Sequence, residues 1–289
     1  KGATCIVPTL MCINVAGSTC VMKRFILFVG YLAALTAALR RERRHVPHTV
    51  TLALRRQSLL RTPPGQFAAL QLLRGVGSVA LQEQRHTYFG PLQIGGQELT
   101  VVFDTGSANL VVPSADCESF GCKGRAAHHG FNANASTTGS FVSDDGKQTD
   151  NVNARHFSVT YASGKASGIT FQDRICVDSQ HAGSGVCAAG AKFLLAEWES
   201  DDFADFAFDG ILGLAPDGRL SAGQGFSLLD ELVRQGQLSQ RMFALYLSAS
   251  GDGAGQLTFG GYDEERASQG LTWLEVVAGG GNWEVPLQS

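Results

Sequence analysis

No apolar run in this 289-residue sequence is long enough to cross a bilayer comfortably. The longest, residues 25–39, has 15 residues, whereas a helical span needs about 20. Proline is scarce, with 8 residues against 35 glycines. That balance favours many turns joining strands, as in an all-β protein. Aromatic residues do not interleave the arginines of the N-terminal part, so a nucleic-acid surface finds little support there. A second Asp-Thr-Gly or Asp-Ser-Gly is also missing; the one copy is Asp104-Thr105-Gly106.

What is present is unevenly spread. The net charge is −3, yet residues 1–80 hold 11 Lys/Arg against one acid, Glu42, and the rest of the chain holds 12 against 25. A basic front end and an acidic body attract each other within one molecule. Cys5, Cys12 and Cys20 precede any recognisable domain, while Cys117, Cys122, Cys176 and Cys187 lie in the body. An even count at short spacing behind a secretory leader reads as disulfides. Zinc held by Cys117, Cys122, His128 and His129 is the competing reading, but adjacent histidines do not easily reach one metal. No metal and no cofactor is expected.

Residues 1–21 show no periodicity and form an unassigned leader, which the Lys1 start suggests is untranslated. Residues 22–39 begin Met22-Lys23-Arg24, continue through the apolar run and end in small residues, the pattern of a signal peptide with cleavage near Ala37 or Ala38. Arg40, Arg41, Arg43 and Arg44 follow directly, so a signal anchor is the alternative; after cleavage no stable membrane span is expected. Residues 40–84 are basic, with helical spacing over 66–74. A cationic segment over an acidic cleft would block it and loosen as the acids protonate.

The stretch that organises the rest is residues 99–110. An apolar strand runs into Asp104-Thr105-Gly106-Ser107. A carboxylate there is costly to bury unless it is held. Thr105 and Ser107 offer hydroxyls, and Gly106 lets backbone N–H groups turn toward the acid. Upstream, Ile94-Gly95-Gly96-Gln97 predicts a hairpin feeding this strand. Downstream, residues 157–161 alternate and residues 162–168 form a small-residue turn. Residues 227–236 predict a helix, with Ser227 as start and Gly236 as stop. Residues 243–247 and 256–261 return to strands.

Tyr88-Phe89-Gly90, Ile94-Gly95, Phe103-Asp104-Thr105-Gly106-Ser107, Val112-Pro113-Ser114, Val159-Thr160-Tyr161-Ala162-Ser163-Gly164 and Phe208-Asp209-Gly210-Ile211-Leu212-Gly213 occur in that order. This series resembles the N-terminal lobe of the pepsin-like aspartic proteases, from Tyr88 to Ser289. The resemblance implies an all-β acid-protease lobe of double-psi barrel or sandwich type with few short helices. It implies a catalytic lobe over 85–270 and the start of an incomplete second lobe over 271–289, where residues 271–273 and 283–285 read as strands. Residues 40–84 take the place of a propeptide.

The implied activity is an aspartic endopeptidase precursor. Two carboxylates share a proton and activate a water; Asp104 is one, and the other is expected beyond Ser289. The chain alone would then be inactive. The implied loop supports are Thr105, Gly106 and Ser107, with Ser107 hydrogen-bonding the carboxylate. The implied flap residues are Tyr161 and Gly164. The implied pocket residues are Val102, Phe203, Phe208 and Ile211. Cys117–Cys122 matches a family disulfide; a Cys176–Cys187 disulfide would be a divergent addition. Asn134-Ala135-Ser136 is a glycosylation sequon. The resemblance departs at Val111, where the family usually has a Trp that hydrogen-bonds the flap tyrosine. Expected partners are a peptide or protein substrate and the chain's own propeptide. The expected location is the secretory pathway, outside the cell or in an acidic, lysosome- or vacuole-like compartment. A non-catalytic binding or inhibitor module, and a symmetric pairing of two copies, are the alternatives.

Overall fold

A computed structural model describes residues 10–14, 50–58, 86–124, 128–177, 186–216, 221–246, 255–265, 267, 271–274, 276–277 and 281–285. The signal segment 22–39 and the helix expected over 66–74 lie outside these. Among the described residues no helix is long and apolar enough to cross a membrane.

The chain is predominantly β. Strands β1 (Leu10–Asn14), β2 (Val50–Ser58), β3 (His86–Ile94), β4 (Gln97–Asp104) and β5 (Leu110–Pro113) precede helix α1 (Phe120–Lys123) and a 3-10 turn (Ala133–Ala135). Next come β6 (Ser140–Val142), β7 (Gln148–Thr149), β8 (His156–Tyr161), β9 (Gly164–Cys176) and β10 (Cys187–Glu199). A 3-10 helix (Asp201–Asp205) leads to β11 (Gly210–Gly213), α2 (Leu228–Arg234), β12 (Met242–Tyr246) and β13 (Gly255–Phe259). The strands lie in the order β1-β12-β13-β2-β3-β4-β11-β5-β10-β9-β6-β7, with β8 paired to β9.

Three features position the site. Gly95 and Gly96 take φ of 54° and 81°, which only glycine adopts freely in succession, so β3 and β4 close as the expected hairpin. Along β4 the pleat alternates: Leu99, Val101 and Phe103 are buried, while Thr100, Val102 and Asp104 are half-buried on the other face. The short apolar strand β11 then inserts between β4, to which it is parallel (Gly213 opposite Asp104), and β5, to which it is antiparallel. The main core gathers Leu99, Val101, Phe131, Phe171, Phe193 and Leu212 around these strands. Three of its rings, Phe131, Phe171 and Phe193, meet edge-on at 5.6–5.7 Å between centroids. Helix α2 matches its signals: the Ser227 side chain accepts from Asp230 N–H, and Gly236 takes φ 68°.

The structure departs from the sequence reading in places. Leu10–Asn14 pairs with β12 although residues 1–21 show no pattern; an edge strand needs only unpaired backbone groups to dock on. Part of the basic segment 40–84 is strand β2, joining β13 to β3, with Leu52 and Leu54 buried. Residues 271–273 and 283–285 are not strands. Trp273 and Val285 are exposed there, and Trp283 instead sets its ring on Phe243 and donates its indole N–H to the Leu214 carbonyl at 3.0 Å.

Candidate active site

Asp104 ends β4, where its alternation leaves it half-buried on the site face. Its Oδ1 accepts the Gly106 N–H at 2.9 Å. Its carbonyl accepts the Leu214 N–H at 2.7 Å, and Ala215 N–H reaches the Ser107 carbonyl at 2.8 Å. The loop is thus stapled to the end of β11 by its backbone. Buried Asn109 continues the staple: its carbonyl accepts from Gly213 N–H at 3.0 Å and its Oδ1 from Ala222 N–H at 2.8 Å. Thr105 is half-buried beside the acid. Ser107 corrects the sequence reading. Its hydroxyl is buried, has no hydrogen-bond partner among the described residues and does not hold the carboxylate; it lies toward Tyr161 instead.

Tyr161 stands at the tip of the β8–β9 hairpin, directly opposite Gly164. The tip is the two-residue turn Ala162-Ser163, shorter than the turn expected over 162–168, because Gly164 onward already belongs to β9. Small residues sit there for a packing reason: a Cβ on Gly168 would collide with the Leu195 carbonyl of β10. Gly164 has φ 151°, and a Cβ there would meet Ser200 Oγ at 2.5 Å and the Phe203 ring at 2.6 Å. The tip is docked by Lys165 N–H donating to Ser200 Oγ at 3.0 Å and Ser200 N–H donating to the Lys165 carbonyl at 2.9 Å. Burial pushes the Tyr161 phenol pKa well above its usual value, and the Asp104 charge adds to the rise. The nearby Ser107 hydroxyl opposes it, although neither hydroxyl completes a hydrogen bond of normal geometry. Val111 packs here with Ala166, Leu194 and Ala196 against Tyr161 and offers no side-chain donor to it.

The four pocket candidates meet in one place. Phe203, Phe208 and Ile211 form a buried cluster with Phe89, and Val102, Tyr161 and Phe206 pack on it. Phe206 stacks on Phe208 at 4.8 Å, and Tyr161 meets Phe203 edge-on at 6.1 Å. The sequence reading missed Phe89 and left Phe206 unassigned. Phe89 lies opposite Val102 across the β3–β4 hairpin, so its place follows from the register. His128 Nε2–H donates to the Phe206 carbonyl at 2.7 Å and props this segment from outside.

Two further carboxylates were not singled out. Asp209 is 8% exposed and fully partnered: Oδ2 accepts Thr100 N–H and Oγ1–H, both at 2.7 Å, and Oδ1 accepts His129 N–H at 2.7 Å. Glu199 is 2% exposed, and its carboxyl takes no hydrogen bond among the described residues; burial alone raises its pKa to about 7. Cys117–Cys122 and Cys176–Cys187 are both disulfides. The first removes both sulfurs from the alternative zinc site, and among the described residues no cluster fit for a metal occurs. Asn134 is exposed in the 3-10 turn, while Ser136 of its sequon donates to Asp173 Oδ2 at 2.6 Å.

Residues 87–289 match the family model of the eukaryotic aspartyl protease domain. The chain belongs to the eukaryotic aspartyl protease family. It is 35% identical to pepsin A of Sus scrofa over 218 residues, covering 74% of this chain and 51% of that protein. It is 37% identical to cathepsin E of Mus musculus over 199 residues, covering 66% of this chain and 44% of that one. The chain spans about half the length of these relatives. On this chain the hairpin Tyr161 packs on the aromatic cluster, and the charge of the half-buried Asp104 acts on its phenol.

Proposed function

We propose that this chain contributes one half of the acid pair of an aspartic endopeptidase precursor, with Asp104 as the catalytic carboxylate. One observation carries the reading. Asp104 is half-buried, fixed by a backbone N–H at 2.9 Å, and lies within electrostatic reach of the hairpin Tyr161, which packs on a cluster of apolar side chains. In this reading Thr105, Gly106 and Ser107 support the loop. Tyr161 and Gly164 cover a bound peptide. Val102, Phe203, Phe208 and Ile211, with Phe89 and Phe206, receive an apolar side chain beside the scissile bond.

The chemistry needs two carboxylates close enough that only one ionises. The protonated one polarises the peptide carbonyl, while the ionised one takes a proton from water. The water oxygen bonds to the carbonyl carbon; the C–N bond then breaks as a proton passes to the departing amine. The pair titrates as a unit, which favours acidic conditions. No second Asp-Thr-Gly or Asp-Ser-Gly lies within these 289 residues, so the reading requires an acid partner from outside them.

The substrate is a peptide or protein. The basic segment 40–84 acts as the propeptide, Asn134 as a glycan site, and the signal pattern of 22–39 directs the chain to the secretory pathway and an acidic or extracellular destination. The alternative reading is a non-catalytic pepsin-like binding or inhibitor module. Peptide cleavage at acidic pH by the full-length gene product, repeated with Asp104→Asn, separates the two. Loss of cleavage in the variant supports the peptidase. Undiminished cleavage refutes the role of Asp104, and no cleavage by the unaltered product supports the binding module.

A further inference from the structure

Glu199 is a buried acid whose carboxyl has no hydrogen-bond or ion-pair partner among the described residues. It ends β10 directly opposite Ala166 of β9, and residues directly opposite share a face of the sheet. That face is apolar: Ala166, Val111, Leu194 and Ala196, with Phe157, Val159 and Tyr161 packed on it. The neighbouring Ser200 is the residue to which the hairpin tip is tied, through Lys165 in both directions. The Glu199 backbone is itself fixed, its N–H donating to Ser119 Oγ at 3.0 Å. Its side chain is therefore held under the tip by position, not by hydrogen bonds.

The surrounding charges do not compensate it. From β8 it faces the Tyr161 phenol, whose own ionisation its charge opposes. Asp104, across the site, is a second anion acting on the same phenol. Lys165 on β9 is exposed, as are Asp201, Asp202 and Asp205 on the 3-10 helix. Near α1, Lys123 is exposed and paired with Glu118 at 2.9 Å. On its own strand, Glu197 is exposed and lies 3.9 Å from His156. Among the described residues no cation lies against the Glu199 carboxyl.

We propose that Glu199 is a positioning residue for the Tyr161 hairpin: its neutral carboxyl lets the tip dock over the site, and its ionisation loosens that docking. The Tyr161 phenol takes no anchor from residue 111; the tip is seated by the Lys165–Ser200 tie and by Tyr161 packing on Phe203 and on the apolar face that Ala166, opposite Glu199, belongs to. Burial holds the acid neutral up to a pH of about 7. A site of this kind closes in acid and opens toward neutral pH. As a device of the peptidase it rests on the proposed function; as a property of the hairpin it is measured without it.

The test is amide hydrogen exchange of the Lys165 N–H on the full 289-residue chain, corrected for the chemical exchange rate, between pH 5 and pH 8. Protection is expected to fall by up to about a hundredfold across this range in the unaltered chain, and to change less than about twofold in Glu199→Gln. Glu199→Asp, with a shorter carboxyl at the same place, is expected to restore a pH dependence. A Glu199→Gln chain that still follows pH overturns the proposal. Where that variant fails to fold, carbon NMR of the native chain decides. A Glu199 carboxyl titrating near neutrality supports the proposal, and one titrating in the ordinary carboxylate range overturns it. None of these readouts uses cleavage, so failure of the Asp104 chemistry leaves them intact.

Discussion

Asp209 and Glu199 are buried to similar degrees, 8% and 2% exposed, in the same lobe. They have opposite surroundings. Asp209 lies where β4 and β11 come together and accepts from Thr100 and His129, so its charge is spread over fixed donors. Glu199 lies opposite Ala166 on the face that Val111, Leu194 and Ala196 share, and among the described residues its carboxyl takes no donor. The first arrangement is a structural rivet: the anion is part of the fold. The second stores sensitivity, because the only way to relieve a buried, unpartnered anion is to protonate it or expose it. Burial alone does not say which role a carboxylate plays; its donors do.

Substitutions that remove charge but keep shape should therefore act in opposite directions. Asp209→Asn is expected to cost about 3 kcal/mol or more, since it presents an amide NH₂ to donors that need an acceptor. Urea unfolding at pH 7 measures this, and a change under about 1 kcal/mol would dissolve the contrast. Glu199→Gln should instead stabilise the chain at neutral pH. The folded-state pKa of about 7 lies above the ordinary value of 4.5. The contribution of the neutral acid is thus full below pH 4.5 and is lost as pH rises through 7. The variant should gain up to about 3 kcal/mol over the native chain at pH 8 and nothing near pH 4. Equal unfolding midpoints at pH 8 would mean that Glu199 is solvated.

Two smaller changes sharpen the picture of the tip. Gly164→Ala is expected to destabilise by about 2 kcal/mol, because a Cβ at φ 151° meets Ser200 and Phe203; thermal unfolding reads this directly. Ser200→Ala removes the acceptor of the Lys165 N–H and should cost about 1 kcal/mol. Exchange of that amide should quicken at every pH without altering the pH midpoint.

The local pieces of this architecture are legible in the chain itself. Gly95-Gly96 between apolar runs predicts the hairpin, Ser227 and Gly236 bracket α2, and Asp104 after a β-branched run predicts a held acid. Each rests on residues close in sequence. Asp209 is different: its partners Thr100 and His129 are 109 and 80 positions away, and only the insertion of β11 beside β4 joins them. Glu199 looks like one more surface acid beside Glu197 and Asp201 until the bulge between Ala196 and Trp198 sets it opposite Ala166. The sequence does not settle Ser107, because a hydroxyl three residues from a carboxylate has several partners within reach and rotamer choice is a tertiary matter. Phe203, Phe208 and Ile211 were found through the family resemblance, since as plain core they would have the same pattern.

In the proposed reading Asp104 reacts while Glu199 only tunes. The most direct measurement is the pH dependence of peptide cleavage by the full-length product, in unaltered, Asp104→Asn and Glu199→Gln forms. Asp104→Asn is expected to fall by at least about a thousandfold at every pH, and Glu199→Gln to keep its acid-side rate while its decline toward neutral pH changes. Cleavage that survives Asp104→Asn would contradict this reading.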